Sequence, residues 1–102
     1  LKRRNLILEL VNSSKGLASN IPSGAFYIFP SCEDLIGLKT AKGNTINNSS
    51  DFSKYLLEEA GVAVVPGLAF GLENFFRISY ATSDQILEEA GLRIYNACKQ
   101  LT

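Results

Sequence analysis

Apolar residues near the N-terminus fall at Leu6, Ile7, Leu10 and Val11, with Leu17 following and charged or polar residues between them. Spacing of three and four predicts an amphipathic helix over 2–15, with Lys15 in its last turn and Gly16 as its stop. The run 25-AFYIF-29 lies between Pro22, Gly24 and Pro30 and reads as a strand. Residues 31–50 are polar, carry Gly37 and Gly43, and show no sustained period. A loop of this length is expected to be functional or mobile.

A second helix is predicted at about 51–60, with Phe52, Tyr55, Leu56 and Ala60 on one face. Ser50 or Asp51 would cap it and Gly61 would close it. The short β-branched run 62-VAVV-65 reads as a buried strand ended by Pro66-Gly67, and 75-FFRISY-80 as the next strand. Thr82 and Gln85 form a T-x-x-Q capping box for a final helix. Its apolar positions are Ile86, Ala90, Ile94, Ala97, Cys98 and Leu101, and Gly91 should weaken it by about 1 kcal/mol relative to alanine. The order α-β-α-β-β-α predicts an α+β fold, a two-layer sandwich with a small three-stranded sheet and helices packed on it.

Composition narrows the function more than the fold. With 102 residues, 46% of them hydrophobic, the chain suffices for a single domain over 1–102. Ten basic residues balance ten acidic ones with no basic stripe, so no nucleic-acid partner is expected. The apolar runs are too short to span a bilayer. The basic start Lys2, Arg3, Arg4 leads into 6-LILELV-11, which carries a glutamate and no cleavage site, so it does not read as a signal peptide. The Asn-x-Ser sequons at Asn12, Asn47 and Asn48 then carry no weight. Cys32 and Cys98 are far apart in sequence and read as reduced thiols of a cytoplasmic protein. The chain has no methionine and starts at Leu1 inside a helical pattern, so a segment of a longer protein or a processed product is expected.

The absence of histidine removes the commonest general base and the commonest metal ligand, so no metal site is expected. Serine and cysteine nucleophiles lack that partner too. Glu58-Glu59 and Glu88-Glu89 are sequence neighbours on helices and do not face each other. The lysines lie on polar faces or in the long loop. Gly67-x-x-x-Gly71 lacks the Gly-Lys-Ser/Thr ending of a phosphate loop and reads as a turn.

Arg77 stands apart, a permanent charge inside Phe-Phe-Arg-Ile-Ser-Tyr. Strand alternation places Phe76, Ile78 and Tyr80 on one face and Phe75, Arg77 and Ser79 on the other. Either the guanidinium snorkels outward or meets a structural carboxylate, or it is a bidentate fork for an anionic ligand.

Three stretches then carry a resemblance: 21-IPSGAFYIFP-30, 56-LLEEAGVAVVPGLAFG-71 and 75-FFRISYATSDQILEEAGLRI-94. Together and in this order they resemble the C-terminal region of the class I aminotransferases, pyridoxal-phosphate enzymes of fold type I, and within them the prokaryotic aspartate aminotransferases. The resemblance spans nearly the whole chain. It implies that Arg77, of the Arg-Ile-Ser-Tyr-Ala motif, binds the substrate α-carboxylate, and that Phe26, of Gly-Ala-Phe-Tyr, lines the substrate pocket. It also implies a C-terminal small-domain segment that swings toward a larger domain once substrate binds.

The family's cofactor-linking lysine, its pyridinium aspartate and its phosphate-binding residues match no position here. No catalytic and no cofactor-binding residue is therefore expected in this chain, and the segment alone should be inactive. Leu68 departs from the small or polar residue expected after Pro66-Gly67. The implied parent is a cytoplasmic homodimer that uses pyridoxal 5'-phosphate to move an amino group from aspartate to 2-oxoglutarate. Rival readings are an aromatic-amino-acid or prephenate aminotransferase, a C–S lyase of the same fold, and a free-standing anion-binding regulatory module that uses Arg77.

Overall fold

The computed structural model describes residues 2–19, 27–80 and 82–102. Helix α1 (Lys2–Asn12) is followed by strand β1 (Tyr27–Ile28) and a 3-10 turn at Glu33–Leu35. Helix α2 (Ser49–Tyr55) continues as one wide π turn, Leu56–Ala60, and leads to strand β2 (Val65–Pro66). A second 3-10 turn, Gly67–Phe70, connects to strand β3 (Phe76–Ser79), and helix α3 (Asp84–Lys99) ends the chain. The expected α-β-α-β-β-α order and α+β class are those observed.

Strand β3 is central: the order is β1-β3-β2 and both pairings are antiparallel. Tyr27 lies opposite Ser79 and Ile28 opposite Ile78, while Val65 lies opposite Arg77 and Pro66 opposite Phe76. Of the predicted strand 62–65 only Val65 pairs, and the pairing extends to Pro66. Proline has no N–H to donate, which suits it to this outer strand.

One face of the sheet meets the helices. Ile28, Phe76 and Ile78 join Ile7 and Val11 of α1, Phe52 of α2, Leu56 of the π turn, and Leu87 and Ile94 of α3 in a single core. The Phe52 and Phe76 rings meet edge to face with centroids 5.2 Å apart. Ring pairs in this arrangement add about 0.5–1.5 kcal/mol beyond their buried area.

Several local expectations are corrected. Helix α1 ends at Asn12, short of residue 15, because the Ser13 and Ser14 hydroxyls donate to the Glu9 and Leu10 carbonyls and tighten the last turn. The cap of α2 is Asn48, whose Oδ1 accepts from Asp51 N at 2.9 Å, while the Asp51 carboxylate accepts from Asn47 N at 3.0 Å. The cap of α3 is Ser83, not Thr82. Of its expected apolar positions Ile94, Ala97, Cys98 and Leu101 are buried and Ala90 packs against the core, but Leu87 is buried instead of Ile86, which is 59% exposed.

Gly91 is more than a weak point in α3. A Cβ there would meet Leu10 Cβ at 2.9 Å, so its absence is what lets α1 and α3 approach. The stretch 31–50 is ordered structure despite its polar sequence. Cys32, Leu35 and Ile46 anchor it in the core, and Lys39 bridges Thr45 across a tight turn.

Candidate functional site: Arg77 between two aromatic rings

Alternation along β3 is as the sequence predicts: Phe76, Ile78 and Tyr80 are buried, whereas Phe75 and Ser79 face outward and Arg77 is partly buried. The charge therefore projects from the face that the helices leave open. Two rings receive it there. The Arg77 guanidinium carbon lies 4.4 Å from the Tyr27 ring centroid and 4.7 Å from that of Phe70. Each such contact contributes about 0.5–1 kcal/mol at an exposed site, and more where water is excluded.

The sheet explains how the rings reach the charge. Tyr27 belongs to β1, on one side of β3. Phe70 ends the 3-10 turn that follows β2, on the other. That turn depends on Gly67, whose N–H donates to the Phe75 carbonyl at 2.7 Å and whose own carbonyl accepts from Leu72 N at 2.8 Å. A Cβ at Gly67 would strike the Leu72 and Phe75 carbonyl oxygens, which are backbone and cannot swing aside. Gly71, at φ 74°, then reverses the chain in a left-handed conformation that favours glycine. The Gly67/Gly71 pair thus builds a turn, as the sequence indicates, and the turn carries Phe70. Phe29 meets Phe70 edge to face with centroids 6.1 Å apart, which braces the ring from behind.

Among the described residues Arg77 has neither an ion pair nor a hydrogen-bonded acceptor. The structural-carboxylate alternative for Arg77 is therefore not realised there. Three other cations are served locally: Lys42 Nζ pairs with Glu59 at 2.9 Å, and Lys15 Nζ donates to the Leu101 carbonyl at 2.8 Å. Arg93 binds Glu89 at 2.6 Å and also reaches the Ala60 carbonyl at 3.3 Å. Glu58 and Glu88 are exposed. Near Arg77 the exposed rings are Tyr27, Phe70 and, against Phe70, Phe29, while Phe75 shares its face of β3.

Phe26 lies outside the described residues. Tyr27 and Phe70 were not singled out by the sequence. Tyr27 was accessible in principle, since it alternates with the buried Ile28 and so shares the open face. Phe70 carries no periodic signal and depends wholly on the turn.

The two cysteines are free and buried. Burial pushes the Cys32 thiol up to about 11, and the Cys98 thiol, with the Cys32 charge as a lesser cause, up to about 12. At neutral pH both are protonated and unreactive. Burial likewise raises the Tyr55 phenol, which donates to the Ala97 carbonyl at 2.8 Å. Among the described residues no group of acidic or cysteine side chains is placed to hold a metal, and no helix is long and apolar enough to cross a membrane.

Comparison with known proteins shows the family. The model of the family described as "Aminotransferase class I and II" matches residues 1–94. The chain is 56% identical over 100 residues to a Rickettsia bellii protein named "Probable aspartate/prephenate aminotransferase", covering 98% of this chain and 25% of that protein. It is 50% identical over 101 residues to an aspartate aminotransferase of Rhizobium meliloti, covering 99% and 25%. The crystal structure of the aspartate aminotransferase from Rhizobium meliloti superposes with a TM-score of 0.97 at 50% identity, over 99% of this chain and 25% of that one. The aromatic aminotransferase from Pyrococcus horikoshii OT3 gives 0.81 at 45% identity, over 96% and 24%. The chain thus spans about a quarter of the length of the curated relatives it matches. It belongs to the class I and II aminotransferase family.

Proposed function

We propose that residues 1–102 form the C-terminal small-domain segment of a pyridoxal-phosphate-dependent aminotransferase, with Arg77 binding the α-carboxylate common to the amino-acid donor and the oxo-acid acceptor. The observation that carries this reading is the state of Arg77. Its guanidinium lies against Tyr27 and Phe70, and among the described residues no acceptor occupies its N–H groups. A planar fork against aromatic rings, with its donor edge unsatisfied, matches a carboxylate's two oxygens in a way an ammonium does not. Held this way, a carboxylate fixes the orientation of the rest of the substrate. Closure of a larger domain over this face would exclude water and strengthen the pair.

Pyridoxal phosphate, which acts as an electron sink when bound, fits the family. On this reading its site lies outside this chain, in keeping with the engagement of Lys15 with the Leu101 carbonyl and of Lys42 with Glu59. The cofactor and the groups that break bonds would therefore come from the rest of the parent protein. On this reading the parent is a cytoplasmic homodimer acting on aspartate and 2-oxoglutarate, and Phe26 lines the pocket. A second reading, with prephenate or an aromatic amino acid as substrate, is favoured by the name of the Rickettsia relative and by the Pyrococcus structure.

The test is Arg77→Lys in the full-length protein. Removing a partner from a desolvated charge pair costs about 3–5 kcal/mol, and lysine, which keeps the charge, should lose part of that. KM should rise for amino acid and oxo acid alike. Unchanged kinetics would remove Arg77 from the substrate site.

A further inference from the structure

We infer that Tyr27 and Phe70 are the positioning residues of Arg77, holding the guanidinium plane so that its N–H edge is presented to one carboxylate. This inference rests on the carboxylate-binding reading of Arg77. An arginine side chain is long and rotamer-rich, and a charge at the end of such a stem ordinarily samples many orientations. Arg77 is denied this freedom by rings from the two elements that flank its strand, at 4.4 and 4.7 Å.

A guanidinium over an aromatic face keeps its in-plane N–H donors available, because the ring engages the π face and not the edge. A carboxylate partner from this chain would orient the side chain too, but it would consume the donors that the substrate needs. Aromatic rings orient without competing. They also cover the guanidinium with apolar surface, so that a carboxylate arriving at its edge displaces less water. The surroundings indicate that the arrangement is built for this purpose. Phe70 is held by the Gly67 turn, which tolerates no Cβ, and by the edge of Phe29. Tyr27 is held by the register that sets it opposite Ser79, two residues from Arg77 on the same open face.

Because both rings act on the α-carboxylate fork, their loss should affect every substrate equally, whatever its side chain. In the full-length protein, Tyr27→Leu and Phe70→Leu should each raise KM for amino acid and oxo acid in parallel, by about tenfold, with kcat changed less than threefold. Tyr27→Phe and Phe70→Tyr should restore wild-type KM. Replacing Phe70 by phenylalanine analogues with one, two and three ring fluorines keeps size and fold while withdrawing charge from the π face, so KM should climb with each fluorine.

Wild-type KM in both leucine variants, alongside a raised KM in Arg77→Lys, would overturn the positioning role and leave the carboxylate reading intact. A flat fluorine series would do the same. Unequal effects on aspartate and an aromatic amino acid would assign the rings to side-chain recognition and also overturn it. An Arg77→Lys protein with normal kinetics would remove both readings together.

Discussion

Two arginines in this small molecule have opposite circumstances. Arg93, on α3, binds the Glu89 carboxylate one helical turn earlier and the Ala60 carbonyl at the end of the π turn. Arg77, on β3, meets two aromatic rings and, among the described residues, no acceptor. Arg93 is half exposed and tied to two neighbouring acceptors. Arg77 is partly buried beside Tyr27 and Phe70, with its N–H groups free of any acceptor among the described residues. One cation is paired within the chain; under the proposed function the other is left for a substrate carboxylate.

The sharpest way to break that contrast is to neutralise each charge. Arg77→Gln in the full-length protein should raise KM for both substrates by a hundredfold or more, since about 3–5 kcal/mol of a desolvated charge pair is at stake. Arg93→Gln should leave KM within about twofold. Steady-state kinetics on the two variants decides it, and similar KM values in both would abolish the distinction.

The next effect concerns what holds Phe70 against Arg77. Gly67→Ala forces a methyl into backbone oxygens, so a loss of about 3 kcal/mol is expected, near the upper range for overpacking. Urea denaturation measures this, and KM should rise with it as Phe70 shifts. An unaltered midpoint would show that the turn is looser than it looks.

The interior beneath β3 gives a pH-dependent effect. Cys32 and Cys98 have thiol pKa values raised to about 11 and about 12, against about 8.5 in an unfolded chain. The folded state therefore holds these protons more tightly. The resulting stability is fully present below about pH 8.5 and is lost as pH rises through 11 and 12. The urea midpoint should fall over that window, and less steeply when both cysteines are alanine. Equal slopes would mean the thiols are not the titrating groups.

Smallest of all is the stability cost of Arg93→Gln. The Glu89 pair is exposed at spacing four on one helix, and such pairs contribute about 0.3–0.5 kcal/mol. Thermal melts in low and high salt should barely separate variant from parent.

Much of this was legible in the sequence because it is local. Spacing of three and four located the three helices, and the alternation of Phe75 through Tyr80 assigned Arg77 to the outer face. The errors were also local, and their cause is competition among polar residues. Ser83 took the cap expected of Thr82, and Leu87, not Ile86, begins the buried stripe of α3. Asn48 likewise displaced Ser50 and Asp51 at the start of α2. Residues 31–50 read as a structureless loop because their three anchors, Cys32, Leu35 and Ile46, follow no period.

By itself the sequence determined the class of fold and the family pattern, and it singled out Arg77 as the charge to be explained. These depend on periodicity and on short motifs, which survive in a one-dimensional string. Only the tertiary structure decided what surrounds that charge. Tyr27 and Phe70 lie fifty and seven residues from Arg77 along the chain, and they meet it because β3 runs between β1 and β2. Strand order is set by which surfaces bury best together, a property of the folded whole, so no spacing in the sequence announces it.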